Sequence, residues 1–153
     1  MNISTSHATL LSVLVLCCLI VQVFGVGGKS ISNMDEWNEL REDDKVWMVE
    51  FYSTMCGACQ EFEPELEKIV KALPEVSFAR VSIDNSDGAQ IAERTGVFDE
   101  AVPNIRLLHS KTDFKGASIY QGDEIPATAI ISKLKSSLSG TADLQDGKYV
   151  KRS

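Results

Sequence analysis

Residues 46–52 read Val–Trp–Met–Val–Glu–Phe–Tyr, apolar throughout except for Glu50. So continuous a run suits a strand covered on both faces. Beyond Cys59, the residues Phe62, Leu66, Ile69, Val70 and Leu73 recur at helical spacing, and Pro74 ends that helix. Pro64 falls inside the pattern, where it removes a hydrogen bond and predicts a kink. Val76, Phe78, Val81 and Ile83 alternate as a strand does, with one slip of phase at Ala79–Arg80. Residues 89–95 predict a short helix closed by Gly96. Ile105, Leu107 and Leu108 mark a strand beginning just after Pro103, with residues 117–120 paired beside it as an edge hairpin. Pro126 starts a last helix with Ile130, Ile131, Leu134 and Leu138 on one face. Upstream, Asn33 or Asp35 caps a short helix that carries Trp37 and Leu40 inward. Residues 26–30 read as a flexible lead-in, and Gly140 onward as a loose polar tail. From residue 46 the order is strand, helix, strand, helix, strand, strand, helix. That order predicts an α/β domain with a mixed sheet and helices on both faces.

A length of 153 residues suits one domain with a sizeable core. The expected division is a leader at 1–25, a domain at 26–139 and the tail at 140–153. Residues 10–24 are apolar except for Ser12, Cys17, Cys18 and Gln22, and no charged side chain precedes Lys29. The run is short of the roughly 20 residues of a membrane span. It reads as the apolar part of a secretory signal with Gly25 at the cleavage point, and an uncleaved anchor is the alternative. Cleavage removes Cys17 and Cys18. The chain then enters an oxidising compartment with one close pair, Cys56 and Cys59. The expected location is the secretory pathway, either the endoplasmic reticulum lumen or outside the cell. A net charge of −7 disfavours nucleic acid and anionic membranes as partners.

Cys56–Gly57–Ala58–Cys59 stands where the buried strand gives way to a helix. Side chains there collect at the carboxyl edge of the sheet. A helix N-terminus stabilises a thiolate, and two intervening residues put the second thiol one turn along, within reach of a mixed disulfide. A structural zinc needs about four ligands, against two cysteines and one distant histidine, His109. A structural staple closing so small a loop removes little chain entropy. Glu50 is the second candidate, because a carboxylate inside an apolar strand has its pKa raised by desolvation. The plain alternative is that it reaches water at the sheet edge. Pro103 precedes a strand, and is either a cis turn or the strand's first residue.

Taken together, these residues resemble the thioredoxin superfamily, and its protein disulfide isomerase branch in particular. The resemblance rests on Val49–Glu50–Phe51–Tyr52 before Cys56–Gly57–Ala58–Cys59, and on Pro64 five residues past the second cysteine. It continues through Ala92–Glu93–Arg94–Thr95–Gly96–Val97, Val102–Pro103–Asn104–Ile105 and Tyr120–Gln121–Gly122. It implies a thioredoxin-like fold and exchange of dithiols and disulfides in protein or peptide substrates. No cofactor or metal is implied, since the cysteines carry the electrons. Cys56 becomes the nucleophile, Cys59 the buried resolving thiol and Glu50 the proton acceptor for Cys59. Gly57 and Ala58 form the active-site loop. Pro103 becomes a cis-proline, with the Val102 backbone and Met55 facing bound substrate.

Several residues depart from the pattern. Met55 stands where the family usually has tryptophan, Ala58 where isomerases have histidine, and Gln60 where lysine is frequent. Glu61 and Glu63 add negative charge, and Glu124 stands where isomerases often carry arginine. A less stabilised thiolate makes the disulfide less oxidising. The expected potential lies below the isomerases' value of about −180 mV and nearer thioredoxin's, about −270 mV. The rival reading is a client-binding module using Met55, Phe98 and Val102 as an apolar patch, unless Phe98 and Val102 belong to the core.

Overall fold

The apolar run at 46–52 becomes a central strand, because layers of helix cover both faces of the sheet. The computed structural model describes residues 26–122 and 126–152. The expected leader with Cys17, Cys18 and Gly25 lies outside the described residues, as does Glu124. The elements are β1 (Lys29–Ile31), α1 (Met34–Glu42), β2 (Trp47–Tyr52), α2 (Gly57–Ala72), β3 (Ser77–Ser82) and α3 (Ser86–Thr95). After a 3-10 turn at Val97–Asp99 come β4 (Asn104–Leu108), β5 (Ala117–Gln121), α4 (Ala127–Thr141), β6 (Ala142–Gln145) and β7 (Lys148–Lys151). The main sheet has the order β1–β3–β2–β4–β5, with β1, β3 and β2 parallel and β4 and β5 antiparallel. This is the thioredoxin-like α/β fold, a mixed sheet flanked by helices.

Alternation along β2 divides the core in two. Met48 faces α2 and α4 and packs in a layer with Leu66, Ile69, Leu107 and Leu134. Val49 and Phe51 face α1 and α3 and pack with Trp37, Leu40 and Ile91. Glu50 shares the face of Met48, so the strand's one acid is aimed at the layer containing α2. The phase slip in β3 has the same origin. Ala79 and Val81 belong to the second layer and Phe78 to the first. Arg80 therefore points into the first layer, and it is the register partner of Glu50 on the adjacent strand.

Local chemistry sets the element ends. Asn33 caps α1, its side chain accepting the Glu36 N–H, and Asn85 caps α3 through the Gly88 N–H. Pro64 lies inside α2. Pro126 offers α4 no side-chain cap, and Glu65 of α2 accepts the Ala127 N–H at 3.1 Å instead.

Two expectations are corrected. The lead-in is not free, because residues 29–31 form an edge strand parallel to β3. The tail is not loose, because α4 continues to Thr141 and the chain then folds into the hairpin β6–β7. Asp146 and Gly147, at φ 48° and 75°, form its two-residue turn, a backbone form that Asp-Gly favours. The hairpin is tied to the domain. Val46 N–H donates to Tyr149 O, Tyr149 N–H to Glu75 O and Lys151 N–H to Asp44 O. Lys151, 8% exposed, donates its ammonium to the carbonyls of Leu40, Arg41 and Asp43 at 2.9, 2.9 and 2.6 Å. The cation thus satisfies the last carbonyls of α1, where the helix dipole favours positive charge. Burial pushes the Lys151 pKa down to about 8, against the pull of Asp43. Lys151→Ala removes three charge-assisted hydrogen bonds at once. We expect it to lower stability in urea unfolding by about 1–3 kcal/mol, and an unchanged midpoint would show that the hairpin is not anchored there.

Candidate active site

Strand β2 ends at Tyr52 and α2 begins at Gly57, so the cysteines sit on the connecting turn and first helical turn. Cys56 is the N-cap of α2, its Sγ accepting the Cys59 N–H at 3.1 Å. A backbone amide aimed at sulfur favours the thiolate. Cys56 is half-buried, Cys59 is buried, and Gly57 and Ala58 are exposed. The two cysteines are joined as a disulfide with Cα atoms 5.2 Å apart.

The turn before Cys56 is held from β3 and the loop after it. Asp84 accepts hydrogen bonds from Ser53 Oγ at 2.5 Å, Thr54 N–H at 2.7 Å and Thr54 Oγ1 at 2.8 Å. The hydrogen bonds from Ser53 and Thr54 pull the Asp84 carboxyl down to about 2. From the other side, Gln60 Nε2 donates to Thr54 O at 3.0 Å. The peptide before Met55 is thereby held at both the N–H and the carbonyl of Thr54, while the Met55 side chain itself is 88% exposed.

Opposite the cysteines, the Val102–Pro103 peptide is cis. The Val102 carbonyl oxygen lies 3.7 Å from Cys56 Sγ. Pro103 is buried and Val102 half-buried. Gly122 supports this loop from β5's end, its N–H donating to Pro103 O at 2.8 Å. Its φ of 66° suits glycine, and a Cβ there would meet Ala101 Cβ at 2.7 Å. Beneath the loop, Glu100 Oε2 accepts from Asn104 Nδ2 at 2.7 Å and from Arg106 Nη2 at 2.8 Å. Phe98 is exposed rather than part of the core.

Behind the pair stands a charged group of three. Glu50 is 0% exposed, and its Oε2 accepts from Arg80 Nε at 2.6 Å. Its Oε1 finds no partner among the described residues. Arg80 Nη1 and Nη2 donate to the two oxygens of Glu63, on α2, at 3.1 and 2.8 Å. The guanidinium also lies 4.3 Å above the Tyr52 ring. Burial pushes the Glu50 carboxyl up to about 7; Arg80 draws it back and Glu63 raises it further. Cys59, Gln60, Glu63 and Arg80 line one cleft of about 400 Å³, so the guanidinium bridges the cleft beside Cys59 to the buried acid.

Every candidate drawn from the sequence, Cys56, Cys59, Glu50, Val102, Pro103, Met55, Gly57 and Ala58, lies on this edge of the sheet or directly behind it. Glu50 does not reach water, and Pro103 takes the cis form. Arg80 and Asp84 were not among the candidates. The phase slip at Ala79–Arg80 was the signal for the first. The second left none, because a surface aspartate after a strand has no pattern of its own.

The fold and this cysteine pair define a thiol–disulfide oxidoreductase domain. A family model described as Thioredoxin matches residues 29–136, and the chain belongs to the thioredoxin family. It is similar to a protein disulfide-isomerase A6 homolog of Drosophila melanogaster, 36% identical over 97 residues, which cover 60% of this chain and 21% of that protein. It is also similar to mitochondrial thioredoxin-3 of Saccharomyces cerevisiae, 35% identical over 57 residues, covering 37% of this chain and 44% of the yeast protein. The crystal structure of the oxidized form of that yeast thioredoxin superposes with a TM-score of 0.52 at 26% identity, over 74% of this chain and 94% of that one. In sequence, the matched segments thus span about a fifth of the fly protein and under half of the yeast one.

Proposed function

We propose that this domain exchanges dithiols and disulfides in protein substrates of the secretory pathway, with a poise toward reduction and isomerisation. The observation that carries the exchange chemistry is Cys56 Sγ at a helix N-cap, taking the Cys59 N–H and facing the Val102 carbonyl. In the reduced protein, the Cys56 thiolate attacks one sulfur of a substrate disulfide. The substrate S–S bond breaks, a mixed disulfide forms, and one substrate thiolate leaves and takes a proton from water. Cys59 then gives its proton to Glu50 and attacks Cys56 Sγ. The second substrate thiolate departs and the Cys56–Cys59 disulfide closes. The substrate gains two electrons from the cysteine pair; of its two protons one comes from water, replacing the one Cys56 gave up on ionising, and the other comes from Cys59 by way of Glu50. The reverse sequence oxidises a dithiol.

The poise rests on charge. Ala58 puts no imidazolium beside Cys56, and Arg80, the cation lining the cleft behind the pair, is held by two carboxylates. We expect equilibration against glutathione, with thiol trapping, to give a potential nearer about −270 mV than −180 mV. A value near the upper figure would overturn the reductive poise. The absence of any reversible couple would overturn the exchange reading itself. The name of the fly relative supports isomerisation among the activities, and the apolar run at 10–24 supports the secretory setting. Sequencing the N-terminus of the protein recovered from cells tests the latter: a chain beginning near Val26 supports a cleaved signal, and one retaining residues 1–25 supports an anchored reductase.

A further inference from the structure

Arg80 is offered two carboxylates and divides itself between them. Its Nε goes to Glu50, which is wholly buried, and both terminal nitrogens go to Glu63, whose side chain is 36% exposed. A fork on a carboxylate is the stronger of the two geometries. We infer that Glu63 is a positioning residue of the exchange reaction: by gripping the terminal nitrogens of Arg80, it keeps the guanidinium from closing a fork on Glu50 and so leaves Glu50 free to take up and release a proton. This rests on the exchange reading above and concerns how its proton step is set.

The surroundings of Glu50 leave this role to few groups. Across β3 it faces Arg80, and from α2 Glu63 reaches the same guanidinium in a cleft that Cys59 also lines. From β4 its register partner is Ile105, which carries no charge, and α4 brings Ile130 and Leu134 to the same layer. On its own strand, Tyr52 lies under the guanidinium. Arg80 does not give up its proton, so its field is constant, and what varies is which carboxylate it serves. With Glu63 present, one oxygen of Glu50 has the single Nε contact and the other has no partner among the described residues. Without Glu63, a negative charge is gone and two donors are released toward Glu50, and both changes favour its ionised form.

The test uses the full chain with Glu63→Gln, Glu63→Asp and Glu61→Gln. The last removes the same charge from the same helix, and Glu61 makes no ion pair with Arg80. Cys56 is loaded with thionitrobenzoate, and release of the dye reports the attack by Cys59 as a function of pH. We expect E63Q to move the profile to lower pH, raising the rate at pH 6 by about three- to fivefold, with E63D and E61Q staying near the parent. In parallel, Glu50 is titrated by carboxyl ¹³C NMR, which requires no exchange activity, and its midpoint in E63Q should fall. A Glu50 midpoint in E63Q equal to the parent's, or an equal shift in E61Q, would overturn the inference. A parent that releases no dye would overturn the exchange reading, while the NMR titration would still decide the role of Glu63.

Discussion

Cys56→Ser should abolish turnover of a disulfide substrate, by more than about 10³-fold, since a hydroxyl neither ionises near neutral pH nor attacks sulfur. Cys59→Ser should behave differently. Cys56 keeps its place at the N-cap, and the amide that reaches its sulfur belongs to the backbone of residue 59, which serine retains. The first attack therefore proceeds and the second cannot, so substrates accumulate as mixed disulfides on Cys56. Non-reducing electrophoresis after acid quenching should show these adducts with C59S and none with C56S. Adducts on Cys59 in the C56S protein would reverse the assignment, and the burial of Cys59 against the exposed turn at Gly57 and Ala58 argues against that outcome. The same C56S protein separates turnover from holding. Met55 and Phe98 are exposed apolar side chains that need no thiol to touch a client. Client binding that survives in C56S would assign them a binding role beside the chemistry.

What the sequence disclosed follows from which forces act locally. The apolar run at 46–52, the helical spacing from Phe62 to Leu73 and the Pro126 helix start report burial, and burial sets element type. The cysteine pair was legible because strand-to-helix placement and spacing together carry its chemistry. Glu50 was legible as an anomaly but not as half of a pair, because its partner lies thirty residues away on the next strand. Arg80 registered only as a break in alternation. A charged residue at an inward position is explained by its neighbour across the sheet, which periodicity within one strand does not contain. Glu63 was counted as added negative charge, whereas in the fold the Arg80 fork holds it. The hairpin at 142–151 failed for another reason. Its strands are short, and Leu144, Tyr149 and Val150 stand among polar residues without being buried, so burial gave no signal. Asp146–Gly147 did carry the turn signature, but the docking of Lys151 on the end of α1 is a tertiary event.

The buried acid also makes stability depend on pH in a direction opposite to that of most carboxylates. Glu50 is raised from 4.5 to about 7 in the folded chain, chiefly by burial. Between those values the folded protein holds a proton that the unfolded chain has released. Stability from this group is complete below about pH 4.5 and is lost as pH rises through 7. The loss should reach about 3 kcal/mol by pH 8, the free energy of ionising a carboxyl in that layer. Other groups act outside this window. Hydrogen bonds and charge partners hold Glu36, Glu65, Asp84 and Asp143 low, so their contribution fades only in more acidic solution. Lys151, held at about 8 against 10.5, gains stability as pH rises beyond that value. The urea midpoint of the parent should therefore fall between pH 5 and 8, and Glu50→Gln, which keeps the shape and cannot ionise, should lose that slope. An equal slope in both proteins would mean that Glu50 is ionised throughout, held so by Arg80, and is no proton acceptor at neutral pH. A flat E50Q profile joined to slower attack by Cys59 would tie the destabilising acid to the exchange step, so that the stability given up near neutral pH is the cost of keeping a proton acceptor buried behind the thiols.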